Sequence, residues 1–212
     1  MRLPARPFLY PIIDRELAGG RPAGEIVAEL CAAGARLIQL REKGLTTRSL
    51  RELALEAVAA AHASAGGAML LVNDRPDVAL YAGADGVHLG DQDMPAEAAR
   101  RVLGPEAIIG VSCHNAEDVR AADALPVDYI AVGPVYPTET KRPRFPVVGT
   151  ELVSRARTLT RKPLVAIGGI DRDNAVAVVA AGADGVAVIG AVMVPGEIEV
   201  RARALLAALG CD

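Results

Sequence analysis

Two hydroxyls, a carboxylate and an ammonium crowd into Thr138-Glu139-Thr140-Lys141, shortly after the apolar run Tyr129 to Val132 and the break Gly133-Pro134. Hydroxyl donors and a lysine charge on one short loop make an anion-binding edge. Two other clusters have the same setting. Gln39-Leu40-Arg41-Glu42-Lys43 follows Leu37-Ile38, and Asn73-Asp74-Arg75 follows Met69-Leu70-Leu71-Val72. In each an apolar run stops abruptly at charge, as expected where a buried parallel strand emerges at its C-terminal end. Parallel α/β folds place their chemistry at that end, so the three loops predict a single site.

Asp74 follows the third apolar run, and Asp93 lies a few residues beyond the fourth, in Val87-His88-Leu89-Gly90-Asp91-Gln92-Asp93. Loops after adjacent strands are neighbours, so the two carboxylates can converge on one ion. Magnesium takes one or two protein carboxylates and fills its other positions with water and phosphate oxygens, which suits two Asp without a His cluster. The competing use is capping: Asp74 for the turn after it, Asp93 for a helix starting near Met94-Pro95. Their joint placement favours Mg²⁺ and a phosphorylated substrate, with Asp91 as a solvated neighbour.

Arg41, Lys43 and Gln39 share one side of their segment by two-residue alternation. A guanidinium forks onto phosphate oxygens and a lysine supplies a mobile charge, so with Lys141 they can neutralise a diphosphate. Their alternative is a surface ion pair with Glu42 or a neighbour. Late in the chain, Gly168-Gly169 and Ile189-Gly190 follow the last two apolar runs, where backbone amides near a helix start would form a second phosphate site. Ser112 and His114 are two apart in an extended segment and face the same way, permitting hydrogen bonding or proton transfer. His88, inside an apolar run, reads as a satisfied core histidine. Cys31, Cys113 and Cys211 lack CxxC or Cys/His ligand spacing and read as reduced thiols, Cys113 as a small packed residue near the pocket.

Eight strands are needed to position these loops. They are predicted at Phe8 to Ile13, Arg36 to Leu40, Ala68 to Val72, Gly86 to Leu89, Ala107 to Val111, Tyr129 to Val132, Leu164 to Ile167 and Gly185 to Ile189. Helical periodicity fills residues 22–33, 46–64, 76–81, 94–103, 115–123, 149–159, 172–180 and 197–209. Ala82-Gly83-Ala84-Asp85-Gly86-Val87 returns as Ala181-Gly182-Ala183-Asp184-Gly185-Val186, each copy linking a helix end to a strand in a structural role. The expectation is an α/β chain forming one (β/α)₈ TIM barrel over residues 1–212. An open doubly wound sheet competes, but Asp14-Arg15-Glu16 stands where its Gly-rich turn would follow the first strand.

Composition narrows the partners. At 212 residues and 51% hydrophobic the chain can bury a large core. A net charge of −3 without a Lys/Arg block argues against nucleic acid, and 3% aromatic residues with no Trp leave few stacking platforms. A small ligand held by charge fits better. No apolar stretch approaches the ~18 residues of a membrane span. Met1 to Pro7, with two Arg and two Pro, lacks the apolar region of a signal peptide, so the expectation is a cytoplasmic protein that meets no membrane. A homo-oligomer is compatible with these features, and nothing in the sequence sets the copy number.

Taken in order, these clusters resemble the thiamine-phosphate synthase family from about Tyr10 to Val192. The motifs are Gln39 to Lys43, Asn73-Asp74-Arg75, Asp85 to Gly90 with Asp93, Gly110-Val111-Ser112 with His114, Gly133-Pro134 with Thr138 to Lys141, and Ile167-Gly168-Gly169-Ile170. The resemblance implies an enzyme that joins 4-amino-2-methyl-5-hydroxymethylpyrimidine diphosphate to 4-methyl-5-(2-hydroxyethyl)thiazole phosphate, releasing diphosphate. It implies that Gln39, Arg41, Lys43, Asn73, Ser112 and Lys141 hold the pyrimidine diphosphate, within the segment that includes Leu40 and Glu42. Asp74 and Asp93 would bind Mg²⁺. Thr138 and Thr140, flanking Glu139, would hold the thiazole phosphate with Gly169 and the Ile189-Gly190 backbone. Arg41, Lys43, Lys141 and Ser112 are the implied catalytic groups. Diphosphate would leave first from a benzylic-type carbon, the aminopyrimidine carrying the positive charge, and no protein nucleophile is needed.

Two departures stand out. Gly190 occupies a position where similar chains often carry Ser, and Arg142-Pro143-Arg144 replaces a run that usually contains lysine and aspartate. A thiazole tautomerase of the same barrel, using His114, would need no diphosphate site. A non-catalytic phosphate-binding module would need no carboxylate pair.

Overall fold

A computed structural model describes residues 3–138 and 145–211. Its strands are β1 (Phe8–Ile13), β2 (Leu37–Leu40), β3 (Met69–Asn73), β4 (Gly86–Leu89), β5 (Ile108–Cys113), β6 (Tyr129–Val132), β7 (Leu164–Ile167) and β8 (Gly185–Val188). They pair in parallel in chain order, and β8 returns to β1 to close the barrel. Around them run α1 (Ala23–Ala33), α2 (Thr47–Ala63), α3 (Pro76–Ala82), α4 (Ala96–Leu103), α5 (Ala116–Asp123), α6 (Gly149–Leu159), α7 (Ala175–Ala180) and α8 (Ile198–Ala208). This is the (β/α)₈ TIM barrel expected, and closure excludes the open sheet.

Why these stretches become strands follows from burial on both faces. Inner faces fill the barrel and outer faces meet helices, so β1, β2 and β6 are buried at every residue. The helices instead carry one apolar stripe. In α1 it is Ile26, Val27 and Leu30, all fully buried. Each such side chain contributes about 1.5–3 kcal/mol relative to exposure.

The repeated Ala-Gly-Ala-Asp-Gly-Val has a physical role. Gly83 ends α3 in the left-handed conformation at φ 68°, which a Cβ would disfavour. The aspartate after it ties consecutive strands together. Asp85 Oδ2 accepts from Leu70 N at the start of β3 (2.7 Å), and Asp184 Oδ2 accepts from Leu164 N at the start of β7 (2.8 Å). Asp128 does the same for Ile109 N of β5 at 2.8 Å, although its surroundings, Pro126-Val127-Asp128, lack the motif. Three carboxylates thus clamp the N-terminal end of the barrel before alternate strands.

Boundaries shift where tertiary pairing decides. β5 runs through Ser112 and Cys113, which pair with Ala131 and Val132 of β6, so Ser112 lies on the strand itself and not in the loop beyond it. Pro95 is the N-cap of α4, which starts later than periodicity suggested. β8 stops at Val188, because Ile189 opens a turn whose carbonyl accepts from Val192 N and Met193 N.

Candidate active site

The loops gather at the C-terminal mouth of the barrel. Asp74, the one non-glycine residue among those described with a left-handed backbone (φ 65°), turns the chain out of β3, held by its N–H to His88 O at 2.8 Å. Asp is one of the few side chains that tolerate this region. The turn brings Asp74 within hydrogen-bonding reach of Asp93. Burial first, then the adjacent Asp74 carboxyl, raises the Asp93 pKa above the usual carboxylate value. The Gly90 N–H, 2.7 Å from Asp93 Oδ2, and the Lys43 ammonium oppose that rise. Neither aspartate caps a helix: the N-caps of α3 and α4 are Arg75 and Pro95, and neither makes a side-chain cap bond. Two carboxylates forced together fit a divalent cation, which would relieve their repulsion.

Lys43 stands beside the pair, its Nζ 3.4 Å from Asp74 Oδ2, with most of its side chain in solvent. Arg41 takes a different partner, Asp14 after β1, at 3.3 Å, and is largely buried. Its Nε is buried without a hydrogen-bond acceptor among the described residues. A guanidinium N–H left in that state is costly. Glu42 faces elsewhere: its Oε1 accepts from Arg15 N at 2.9 Å, tying the β1 loop to the β2 loop, and burial raises its pKa. Of the ion pairs weighed as the alternative use of Arg41 and Lys43, those formed are with neighbouring loops, Asp14 and Asp74, and not with Glu42. Leu40 is fully buried in the barrel wall, so the surface of that segment comes from its neighbours.

Opposite, a cavity of about 330 Å³ is lined by Thr138, Gly169, Ile189 and Gly190 among others. Gly168 and Gly169 make it by close approach. Tyr136 N bonds Gly168 O at 2.9 Å, and a Cβ on Gly169 would stand 2.4 Å from Pro137 O. The β6 loop can therefore lie on the β7 loop only where position 169 has no side chain. The amides here belong to turns: α7 begins at Ala175, three residues later than expected, and α8 at Ile198, one residue from the expected start, so neither helix start reaches the glycines. Asn73 ends β3 half-buried, and Asp91 is exposed. Glu139, Thr140, Lys141, Arg142 and Arg144 lie outside the described residues.

Beneath the mouth, His88 is the satisfied core histidine expected: Nδ1 meets Tyr129 Oη at 2.8 Å and Ser112 Oγ meets Nε2 at 2.9 Å. His114 is turned to the neighbouring loop, donating from Nδ1 to Gly133 O at 2.6 Å and stacking on Phe145 with 3.5 Å between ring centroids. Asp14, Tyr10 and Tyr129 have site contacts that sequence reasoning missed. Asp14 was legible only as a polar residue closing an apolar run, and the tyrosines gave no signal.

The family model described as thiamine monophosphate synthase matches residues 9–192. The chain belongs to the thiamine monophosphate synthase family. It is 45% identical over 197 residues to the thiamine-phosphate synthase of Moorella thermoacetica, covering 93% of each chain. It is 48% identical over 185 residues to that of Albidiferax ferrireducens, covering 86% of this chain and 83% of the relative. Among solved structures, thiamine phosphate pyrophosphorylase from Pyrococcus furiosus superposes with a TM-score of 0.86 at 37% identity, covering 96% of both chains. Among the described residues, no helix is long and apolar enough to cross a membrane.

Cys113 is a buried free thiol. Burial, then the Asp118 carboxylate, pushes the thiol up to about 12. At pH 8 it is a protonated, inert group. Native protein treated with iodoacetamide at pH 8 should leave Cys113 unmodified by peptide mass spectrometry, whereas urea-unfolded protein should label it. Labelling in the native state would contradict the burial.

Proposed function

We propose that this chain is a thiamine-phosphate synthase that joins 4-amino-2-methyl-5-hydroxymethylpyrimidine diphosphate to 4-methyl-5-(2-hydroxyethyl)thiazole phosphate, giving thiamine phosphate and diphosphate. The carrying observation is convergence: Asp74, Asp93 and Lys43 meet at the barrel mouth, and Arg41 stands on the adjoining β2 loop. The glycine-lined cavity for a second phosphate opens at the same end. A tautomerase has no use for the first group, nor a binding module for the carboxylate pair.

On this reading Asp74 and Asp93 hold Mg²⁺, which when bound neutralises diphosphate and eases its departure. Arg41 and Lys43 bind the same leaving group, and their charge counts most as negative charge builds on it. Asp14 keeps the Arg41 guanidinium in place. The thiazole phosphate rests on Thr138 and the amides near Gly169 and Gly190, which line one cavity, and the thiazole nitrogen then captures the pyrimidinylmethyl cation. Gly190 supplies an amide without the hydroxyl of a Ser. The Lys141 ammonium is assigned to the diphosphate by the resemblance alone.

The test is turnover of both substrates by purified protein with Mg²⁺, following thiamine phosphate by fluorescence after oxidation. Product should form, disappear with excess EDTA and return with added Mg²⁺. Absence of product under all three conditions would refute the assignment.

A further inference from the structure

Gln39 and Ser112, on β2 and β5, are joined through the barrel interior by an unbroken run of hydrogen bonds. Gln39 Nε2 donates to Tyr10 Oη at 2.7 Å, and Tyr10 Oη lies 2.9 Å from Tyr129 Oη. Tyr129 Oη lies 2.8 Å from His88 Nδ1, and His88 Nε2 lies 2.9 Å from Ser112 Oγ. Gln39, Tyr10 and Tyr129 are almost wholly buried, so water cannot substitute for any of these partners. Room for the central ring is specific: a Cβ on Gly110 would stand 1.9 Å from Tyr129 Cζ. The ring stacks on His88 (5.6 Å between centroids, 23°) and meets Tyr10 edge-on (5.9 Å, 86°).

The run has a direction. A tyrosine hydroxyl has one hydrogen to give, and that of Tyr10, already accepting from Gln39, has only Tyr129 as a recipient. Tyr129 must then donate to His88 Nδ1, which puts the imidazole hydrogen on Nε2. From there it donates to Ser112 Oγ, so the relay leaves Ser112's own hydrogen unused. At the other end, Gln39 has spent one of its two N–H groups on Tyr10, which turns the amide so that its carbonyl is the acceptor it can offer a ligand.

We propose that Tyr10, Tyr129 and His88 form a polarised hydrogen-bond relay that makes Ser112 a donor and Gln39 an acceptor toward the pyrimidine. These three are positioning residues. The pair so presented is complementary to a ring carrying an exocyclic amine and an acceptor nitrogen, and mismatched to its 4-oxo counterpart, whose N–H and C=O are reversed. This deepens the synthase reading and rests on it for the ligand, but the relay itself is a property of the free protein.

Two variants decide it. A carboxylate at position 39 accepts from Tyr10, so Gln39→Glu should reverse every bond and move the His88 hydrogen from Nε2 to Nδ1. Nitrogen NMR of ring-labelled histidine, assigned with His88→Gln, reads this directly: Nε2 protonated in the parent protein, Nδ1 in Gln39→Glu. Tyr129→Phe keeps the ring and cuts the relay, so the double variant should lose the reversal. Tyr129→Phe alone should bind the pyrimidine diphosphate about tenfold more weakly by calorimetry, the size of one misdirected hydrogen bond. An Nδ1 hydrogen in the parent protein, or the same tautomer in the parent and Gln39→Glu proteins, overturns the proposal, as does unchanged affinity in Tyr129→Phe. If the parent protein binds no pyrimidine diphosphate, the ligand reading fails while the tautomer comparison still decides the relay.

Discussion

Asp74→Ala should lower kcat/KM for the condensation at least ~100-fold, the usual scale for losing metal or oxyanion stabilisation. The substitution removes one of two carboxylates in the Asp74–Asp93 pair and frees Lys43 from its 3.4 Å partner. It also forces Ala into a left-handed backbone at φ 65°, which costs about 1–2 kcal/mol in its own right. Asp74→Asn separates the two effects, because Asn tolerates that conformation while losing the charge. Both variants should be crippled, the Asn variant with near-parental stability. Initial rates over a Mg²⁺ series make the comparison, and either variant within tenfold of the parent would remove Asp74 from the metal site.

At the opposite end, Asp184→Ala should destabilise the fold by about 3–5 kcal/mol, the loss expected when one partner of a buried charged cluster is removed. Asp184 has a side chain only 11% exposed; it bonds Arg6 at 2.9 Å, Arg157 at 2.9 Å and Leu164 N at 2.8 Å. Its removal leaves the Leu164 N–H and a half-buried guanidinium short of an acceptor. Urea unfolding should show a lower midpoint at unchanged slope. Since the carboxylate lies beyond the N-terminal ends of the strands, kcat/KM at low temperature should hold. Asp128→Ala should cost less, because that side chain is 40% exposed and water can replace part of what it provides. Equal losses at both positions would show that exposure does not grade the clamps.

The meeting of Asp74 with Asp93 was legible because loops after neighbouring strands must meet. Arg41 and Lys43 were legible as cations but not in their pairings. Asp14 and Asp74 come from other loops, and the order of strands around a closed barrel, not spacing along the chain, brings them close. Tyr10 was hidden for a related reason: in Phe8–Ile13 every residue is buried, so period-two alternation between an inner and an outer face leaves no trace in residue type. The role of Asp128 was hidden because its clamp needs only a carboxylate one residue before a strand, whatever precedes it.

By itself the sequence determined the eight-fold alternation of strand and helix, the strand ends that carry polar residues, and the family those residues resemble. Apolar periodicity and abrupt changes from apolar to charged residues are local properties, and they survive in a linear reading. Only the tertiary structure decided which side chains touch: Asp74 with Asp93, Arg41 with Asp14, and Gln39 with Ser112 through two tyrosines and a histidine. Those contacts depend on barrel closure and on the register that sets Gly110 beside Tyr129, and both are fixed by packing between segments far apart in the chain.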